Sequence, residues 1–223
     1  MRVHKRALLL VPIAGLLLAG PIGAGQAQTS PGTVQAFRAN LTPVAHNPSG
    51  PGGSTASGSA YLVRVGDRLT GVIYAQGLSP NLPHAMHIHG LAQAAAECPG
   101  VNRDANADGL VDTLEGIVDY GPILVSFTTT GGTGGNLLPD GLDLSRFPVA
   151  NRAGFITYSR TFSIPMSVAE RLGQLHIVIH GSDLNGNGVY DGVRSSLSDL
   201  VGATVPLEAE LPVACGPIRS LTS

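Results

Sequence analysis

Short runs of alternating apolar and polar residues, bounded by Gly, Pro, Asn and Asp, fill most of this chain. That period-two pattern predicts strands. Thr33–His46 alternates loosely and reads as a first strand, followed by a Pro/Gly/Ser-rich exposed loop over Asn47–Gly58. Ala60–Val65 and Leu69–Ala75, rich in β-branched and aromatic residues, flank Gly66-Asp67-Arg68 and predict a hairpin. A Pro-containing turn over Leu78–Pro83 leads into an apolar, histidine-bearing strand, His84–Gly90. Leu91–Tyr120 is a long excursion holding Cys98 and a charged loop. Strands are predicted over Gly121–Thr130, Phe155–Ile164 and Leu175–Gly181, with a last one over Val201–Val213 running into Cys215. Between them, Gly131–Arg152 is a Gly-rich loop with a turn at Pro139-Asp140-Gly141. Ser167-Val168-Ala169-Glu170 has the spacing of a capping box and predicts a brief helix ending near Gly173. About eight strands and one short helix predict an all-β fold, an antiparallel Greek-key sandwich or barrel.

The N-terminus departs from this pattern. Arg2, His4, Lys5 and Arg6 precede an apolar run to about Ala24, and Gly25-Gln26-Ala27 offers a small-residue exit. This predicts a signal peptide over residues 1–27, and a single exported domain over 28–223, secreted or held in the cell envelope. No later apolar run is long enough to span a membrane. Removing Arg2, Lys5 and Arg6 leaves ten basic against fifteen acidic residues, a net charge of about −5. That balance excludes nucleic acid and anionic membranes as partners. Cys98 and Cys215 are the two cysteines. An even count in an oxidising compartment predicts one disulfide, worth about 4–5 kcal/mol in the chain-entropy account.

Candidate chemistry concentrates in the histidines. In a strand, His87 and His89 project from one face, about 6–7 Å apart at Cα. Two neutral imidazoles at that spacing reach one metal ion. If the strand ending at His180 lies alongside, three nitrogen ligands result, a set suited to copper or zinc, with copper favoured by the affinity series. The alternative is a set of core or turn histidines.

A second pattern is made of oxygen ligands. Asp104, Asn106, Asp108, Gly109, the carbonyl of Leu110, Asp112 and Glu115 match the calcium-loop spacing at every position. The alternative is a hydrophilic turn. A weaker echo, Asp183, Asn185, Asn187 and Asp191, has Arg194 at its twelfth position, so the bidentate ligand is missing, and its Asn-Gly-Asn-Gly is also good turn chemistry. No G-x-S-x-G nucleophile motif occurs, and a hydrolase reading has no support.

His84-x-x-His87-x-His89-Gly90 resembles the H-G-F-H-V-H signature of copper/zinc superoxide dismutases. Val178-Ile179-His180-Gly181 is similar to the later copper-histidine strand of that family. Leu211-Pro212-Val213-Ala214-Cys215-Gly216 is similar to its R-L-A-C-G ending. The resemblance covers residues 56–218 by order of features, with close matches only in the short motifs. It implies an eight-stranded Greek-key barrel, copper on His87, His89 and His180, a backbone-bonded structural role for His84, and a Cys98–Cys215 pair. The departures are equally specific. No histidine lies between His89 and His176, so the bridging and zinc ligands are missing, and Pro212 stands where the family keeps an arginine that guides the anion. His176 would lie about 13 Å from His180 along a strand, and His46 is a remote candidate for a fourth ligand. A looser resemblance to the chordin-type (CHRD) domain rests on His87-Ile88-His89-Gly90 and Gly121-Pro122-Ile123-Leu124-Val125.

The expectation is an exported superoxide dismutase-like domain with a copper-only site, a calcium-type loop and superoxide as the implied substrate. The alternative is a non-catalytic CHRD-like cell-envelope module stabilised by calcium and a disulfide.

Overall fold

The computed structural model describes residues 32–46, 54–91, 98–192, 195, 197–202 and 204–221. The signal peptide expected over 1–27 and the residue Arg194 lie outside the described residues. In chain order the strands are β1 (Val34–Pro43), β2 (Ser57–Val65), β3 (Arg68–Gln76), β4 (Met86–His89), β5 (Ile123–Ser126), β6 (Ile156–Ser163), β7 (His176–His180) and β8 (Pro212–Ser220). Helices are short: α1 (Thr113–Tyr120), α2 (Met166–Ala169), α3 (Leu197–Val201) and α4 (Leu207–Glu210). Among the described residues no helix is long and apolar enough to cross a membrane.

All eight strands pair antiparallel in one curled sheet, ordered β5-β4-β7-β8-β1-β2-β3-β6. Its non-consecutive neighbours, β3 with β6, β4 with β7 and β8 with β1, make the Greek-key connections the strand count predicted. The β2–β3 hairpin is tighter than the sequence suggested. Val65 pairs with Arg68, so the turn is Gly66-Asp67 alone, with Gly66 at φ 60°.

Strand alternation places the site. Met86 and Ile88 of β4, and Ile177 and Ile179 of β7, join the main core with Phe37, Leu62 and Phe127. The intervening His87, His89, Val178 and His180 therefore face away from that core, on the outer surface of the sheet. They are nonetheless buried, because the connections 98–122 and 131–150 fold over this face. Val178, Cys215, Val44 and Tyr120 form a second cluster there, with Cys98 and Ile117 packed against it. Cys98 and Cys215 are joined by a disulfide with Cα atoms 5.7 Å apart.

Several elements differ from the sequence reading, which expected one short helix where four form among the described residues. The last strand does not start at Val201: α3 and α4 occupy part of 197–210, and β8 begins at Pro212 and runs through Cys215 to Ser220. Leu-Glu-Ala-Glu are good helix formers, and Pro206 precedes them with its φ already set. The capping box is also elsewhere. α2 begins at Met166 behind Pro165, which leaves Ser167 inside the helix, and no side chain caps it. The box operates at α1, where the Asp112 carboxylate accepts from Glu115 N (2.8 Å) and Glu115 Oε2 accepts from Asp112 N (3.0 Å).

Candidate metal centre

β4 and β7 are hydrogen-bonded neighbours, with His87 opposite Val178 and Met86 opposite Ile179. This register brings His180 beside the two β4 histidines. The ring centroids of His87, His89 and His180 lie 5.2–5.6 Å apart. One nitrogen from each ring falls within 4.8 Å of the other two. Among the described residues this is the one group of three or more His, Cys, Asp or Glu so placed.

The hydrogen bonds decide which nitrogens these are. His87 Nε2–H donates to the Gly141 carbonyl (3.0 Å), His89 Nδ1–H to Gly121 (2.8 Å) and His180 Nδ1–H to Glu210 (2.7 Å). A carbonyl only accepts, so each named nitrogen carries the proton and its counterpart carries a lone pair. Those counterparts, His87 Nδ1, His89 Nε2 and His180 Nε2, are buried and have no hydrogen-bond partner. Three naked lone pairs converging in a buried pocket are costly without a ligand. Rings fixed through their far nitrogens are the usual support of a metal site. The residues therefore fit a nitrogen-bound metal ion, with geometry that any of several divalent ions would accept.

The loops, not the strands, set these tautomers. Gly121 ends α1 with φ 80°, which turns its carbonyl toward His89. Gly141 closes a helical turn at Leu137–Gly141, and Glu210 ends α4. Tyr120 packs its ring edge on His89 at 4.7 Å and Phe147 on His87 at 5.4 Å. Burial holds all three histidines neutral: His89 is pushed down to about 3 and His180 to about 4. His87 lies well below its usual value, first by burial and then by the neighbouring imidazoles.

The remaining histidines separate cleanly. His84 sits beneath the site with Nδ1 2.9 Å from the His180 carbonyl and Nε2 3.1 Å from that of Ser79. It braces the main chain at the ligand strand's end. His46 is not a fourth ligand. Val111 N donates to its Nδ1 (2.9 Å), which leaves Nε2–H to donate to the Pro212 carbonyl (3.1 Å), so both nitrogens are used. His176 pairs across the sheet with His89 but lies outside the cluster, buried, with both ring nitrogens unpartnered.

The two acidic loops share one backbone fold. In the first, Asp104 Oδ1 and Oδ2 accept from Asp108 N and Gly109 N, Asn106 Oδ1 from Asp108 N, and Asp108 Oδ1 from Leu110 N. In the second, Asp183 accepts from Asn187 N and Gly188 N, Asn185 from Asn187 N, and Asn187 from Val189 N. Positive φ recurs at matching positions, Ala107 with Gly186 and Gly109 with Gly188. Glu115 closes the first loop by accepting from Ala105 N (2.7 Å) and Asp112 N (3.0 Å). In the second loop Glu208 does the same for Leu184 N (3.0 Å) and Asp191 N (2.8 Å). The carboxylate absent from position twelve is thus supplied from 25 residues past Asp183. No local spacing signals it. Asn185 and Asn187 amides also donate to Asp191 (3.1 and 2.7 Å).

Glu208 is 3 % exposed and holds two backbone amides. Glu208→Ala leaves both without that partner and is expected to cost about 2–4 kcal/mol. Urea denaturation reads this as a lower midpoint at constant slope; a loss under about 0.5 kcal/mol would mean the amides find water instead.

Glu210 and Thr113 were not legible as site residues. Thr113 N donates to Glu210 Oε2 (2.8 Å) and Thr113 Oγ1 to the Glu210 carbonyl (2.6 Å), which fastens α1 to the end of α4 beside His180. No family model matches the chain, and no curated protein matches its sequence.

Proposed function

We propose that this chain is a metal-binding domain of the copper/zinc superoxide dismutase type, exported from the cell and carrying one copper ion on His87, His89 and His180 without a zinc partner. The observation that supports it most directly is the set of three buried, partnerless imidazole nitrogens. Copper is preferred because an all-nitrogen donor set binds it most strongly among the divalent ions. Copper bound there would supply one-electron chemistry. The chain's own residues orient the rings through the carbonyls of Gly121, Gly141 and Glu210 and exclude bulk water with Tyr120 and Phe147. Superoxide is the substrate the family resemblance implies, but Pro212 occupies the guiding arginine's place. Without that cation the attraction that brings an anion to the ion is lost, so dismutation, if catalysed, is expected to be slow.

Metal content of the purified protein by mass spectrometry tests the reading. One copper per chain, lost in a His87→Ala/His89→Ala variant that keeps its fold by circular dichroism, is the expected result. Copper retained in the variant, or no copper after incubation with excess ion, would overturn it.

The second reading, a calcium-stabilised CHRD-like module, is favoured by one specific observation: the matched folds of the loops closed by Glu115 and Glu208. Calcium on both loops is compatible with a copper centre. Calcium bound without copper, and unchanged in the histidine variant, would make this the better description.

A further inference from the structure

His87, His89 and His180 line a cavity of about 440 Å³, the size of a small-molecule site. Its walls are aliphatic: Leu114 and Ile117 of α1, Ile123 of β5, Leu142 and Leu144, and Pro206. Among the described residues lining it there is no arginine, and the chain has no lysine beyond Lys5. The acids at the wall are Asp143 and Glu210. Asp143 Oδ1 is occupied by Ser145 N (3.2 Å) and Ser145 Oγ (2.6 Å). Glu210 differs. Its Oε2 accepts from Thr113 N, but Oε1 is buried with no partner, on a side chain only 2 % exposed.

A buried carboxyl oxygen without a partner is costly. Here it belongs to a residue that lines a ligand-sized cavity, which the three histidines also line. The geometry points to a binding site for a neutral molecule with an apolar body and a single hydroxyl head, an alcohol or phenol, whose hydroxyl meets Glu210 Oε1 beside the histidine cluster. A hydroxyl both donates and accepts, so it satisfies Oε1 whether or not the carboxyl carries a proton. In the metal-free protein an anion would enter aliphatic walls with no cationic side chain to meet it and with Glu210 and Asp143 on the lining. The inference names the ligand class of the proposed copper centre, and it rests on that reading only in that the hydroxyl oxygen also faces the ion.

Calorimetric titration of the purified protein, metal-free and after one equivalent of copper(II), tests it with three probes: 4-propylphenol, propylbenzene and 4-propylbenzoate. The phenol is expected to bind at least about tenfold more tightly than either of the others. Leu114→Trp, which narrows the cavity from the helix surface, should weaken it by about tenfold or more, and Glu210→Met should bring phenol and propylbenzene to within about twofold. If Glu210→Met does not fold, the Leu114→Trp result carries the test. Equal binding of phenol and propylbenzene, tightest binding of the benzoate to the metal-free protein, or phenol binding untouched by Leu114→Trp would overturn the site. Phenol binding without copper uptake would uphold the cavity and remove the metal reading; copper uptake without phenol binding would do the reverse.

Discussion

The metal-free protein is expected to lose its fold as pH falls from 6.5 toward 4. His46, His84, His87, His89, His176 and His180 are all buried, and burial is the first cause that holds each below its ordinary value. His89 lies at about 3, and His176 and His180 at about 4. The unfolded chain titrates near 6.5. Below that pH the unfolded state binds protons the folded state refuses, so stability present above 6.5 drains away until the folded values are reached. Near pH 5 the four most depressed histidines, His87, His89, His176 and His180, contribute a slope of about 5 kcal/mol per pH unit. Glu210 works the other way. Burial raises it to about 8, so the folded state holds its proton while the unfolded state has lost it, and lowering the pH from 8 to 4.5 favours folding by one proton. The net slope is still about 4 kcal/mol per pH unit, and two units exhaust the stability of an ordinary domain. Urea unfolding at pH 7.5, 6, 5 and 4 with a chelator present measures it. Saturating copper should move the collapse to lower pH, because the ion binds only folded, unprotonated rings. His176→Leu should remove one proton from the slope and stabilise the protein at pH 5. An unfolding free energy flat from pH 7 to 4.5 would contradict buried neutral histidines.

What was legible in the sequence followed from local pattern. His87 and His89 sit two apart in an apolar strand, and His180 ends another, so a shared face could be read without coordinates. The strand count was readable for the same reason: period-two alternation is a local property of the chain. Contacts made across distance were not readable. Glu208 completes a loop that starts at Asp183, and the carbonyls of Gly121, Gly141 and Glu210 choose the histidine tautomers, though no spacing rule links them. α1 was missed because Asp112 and Glu115 fit two patterns at once. Their three-residue spacing serves a capping box and the end of a calcium loop, and the structure uses it for both, since Glu115 caps the helix start and closes the loop on Ala105. His46 offered two nitrogens to a ligand search, but a main-chain amide and a carbonyl had already claimed both.

Removing the disulfide is expected to cost the largest single increment of stability and to weaken metal binding with it. The bond joins residues 117 apart. Chain entropy for a loop of that length is worth about 5 kcal/mol, a large share of the whole for a domain of this size. Cys98→Ala/Cys215→Ala is the cleaner variant, since a serine hydroxyl at position 215, which is fully buried, would add a desolvation penalty of its own. The effect on the metal follows from where the bond lies. It anchors β8 to the start of the connection that carries α1, and α1 delivers both the Gly121 carbonyl to His89 and Thr113 to Glu210. With that anchor gone, the unfolded ensemble gains freedom and the connection is held by the hydrogen bonds of Val111, Thr113 and Gly121 and by Val44, Ile117, Tyr120 and Val178 around the vacated sulfur. The urea midpoint should fall, with a steeper slope as the unlinked denatured chain expands, and the copper dissociation constant at pH 7 should rise by about tenfold or more. The two readings separate the causes. A fall in stability with unchanged metal affinity would mean that packing and the Thr113–Glu210 hydrogen bonds suffice to seat α1 over the histidines, and that the bond acts only on the unfolded chain. A fall in both would make the disulfide part of the metal centre, because the tautomer of His89 then depends on a cross-link to Cys215, more than a hundred residues further along the chain.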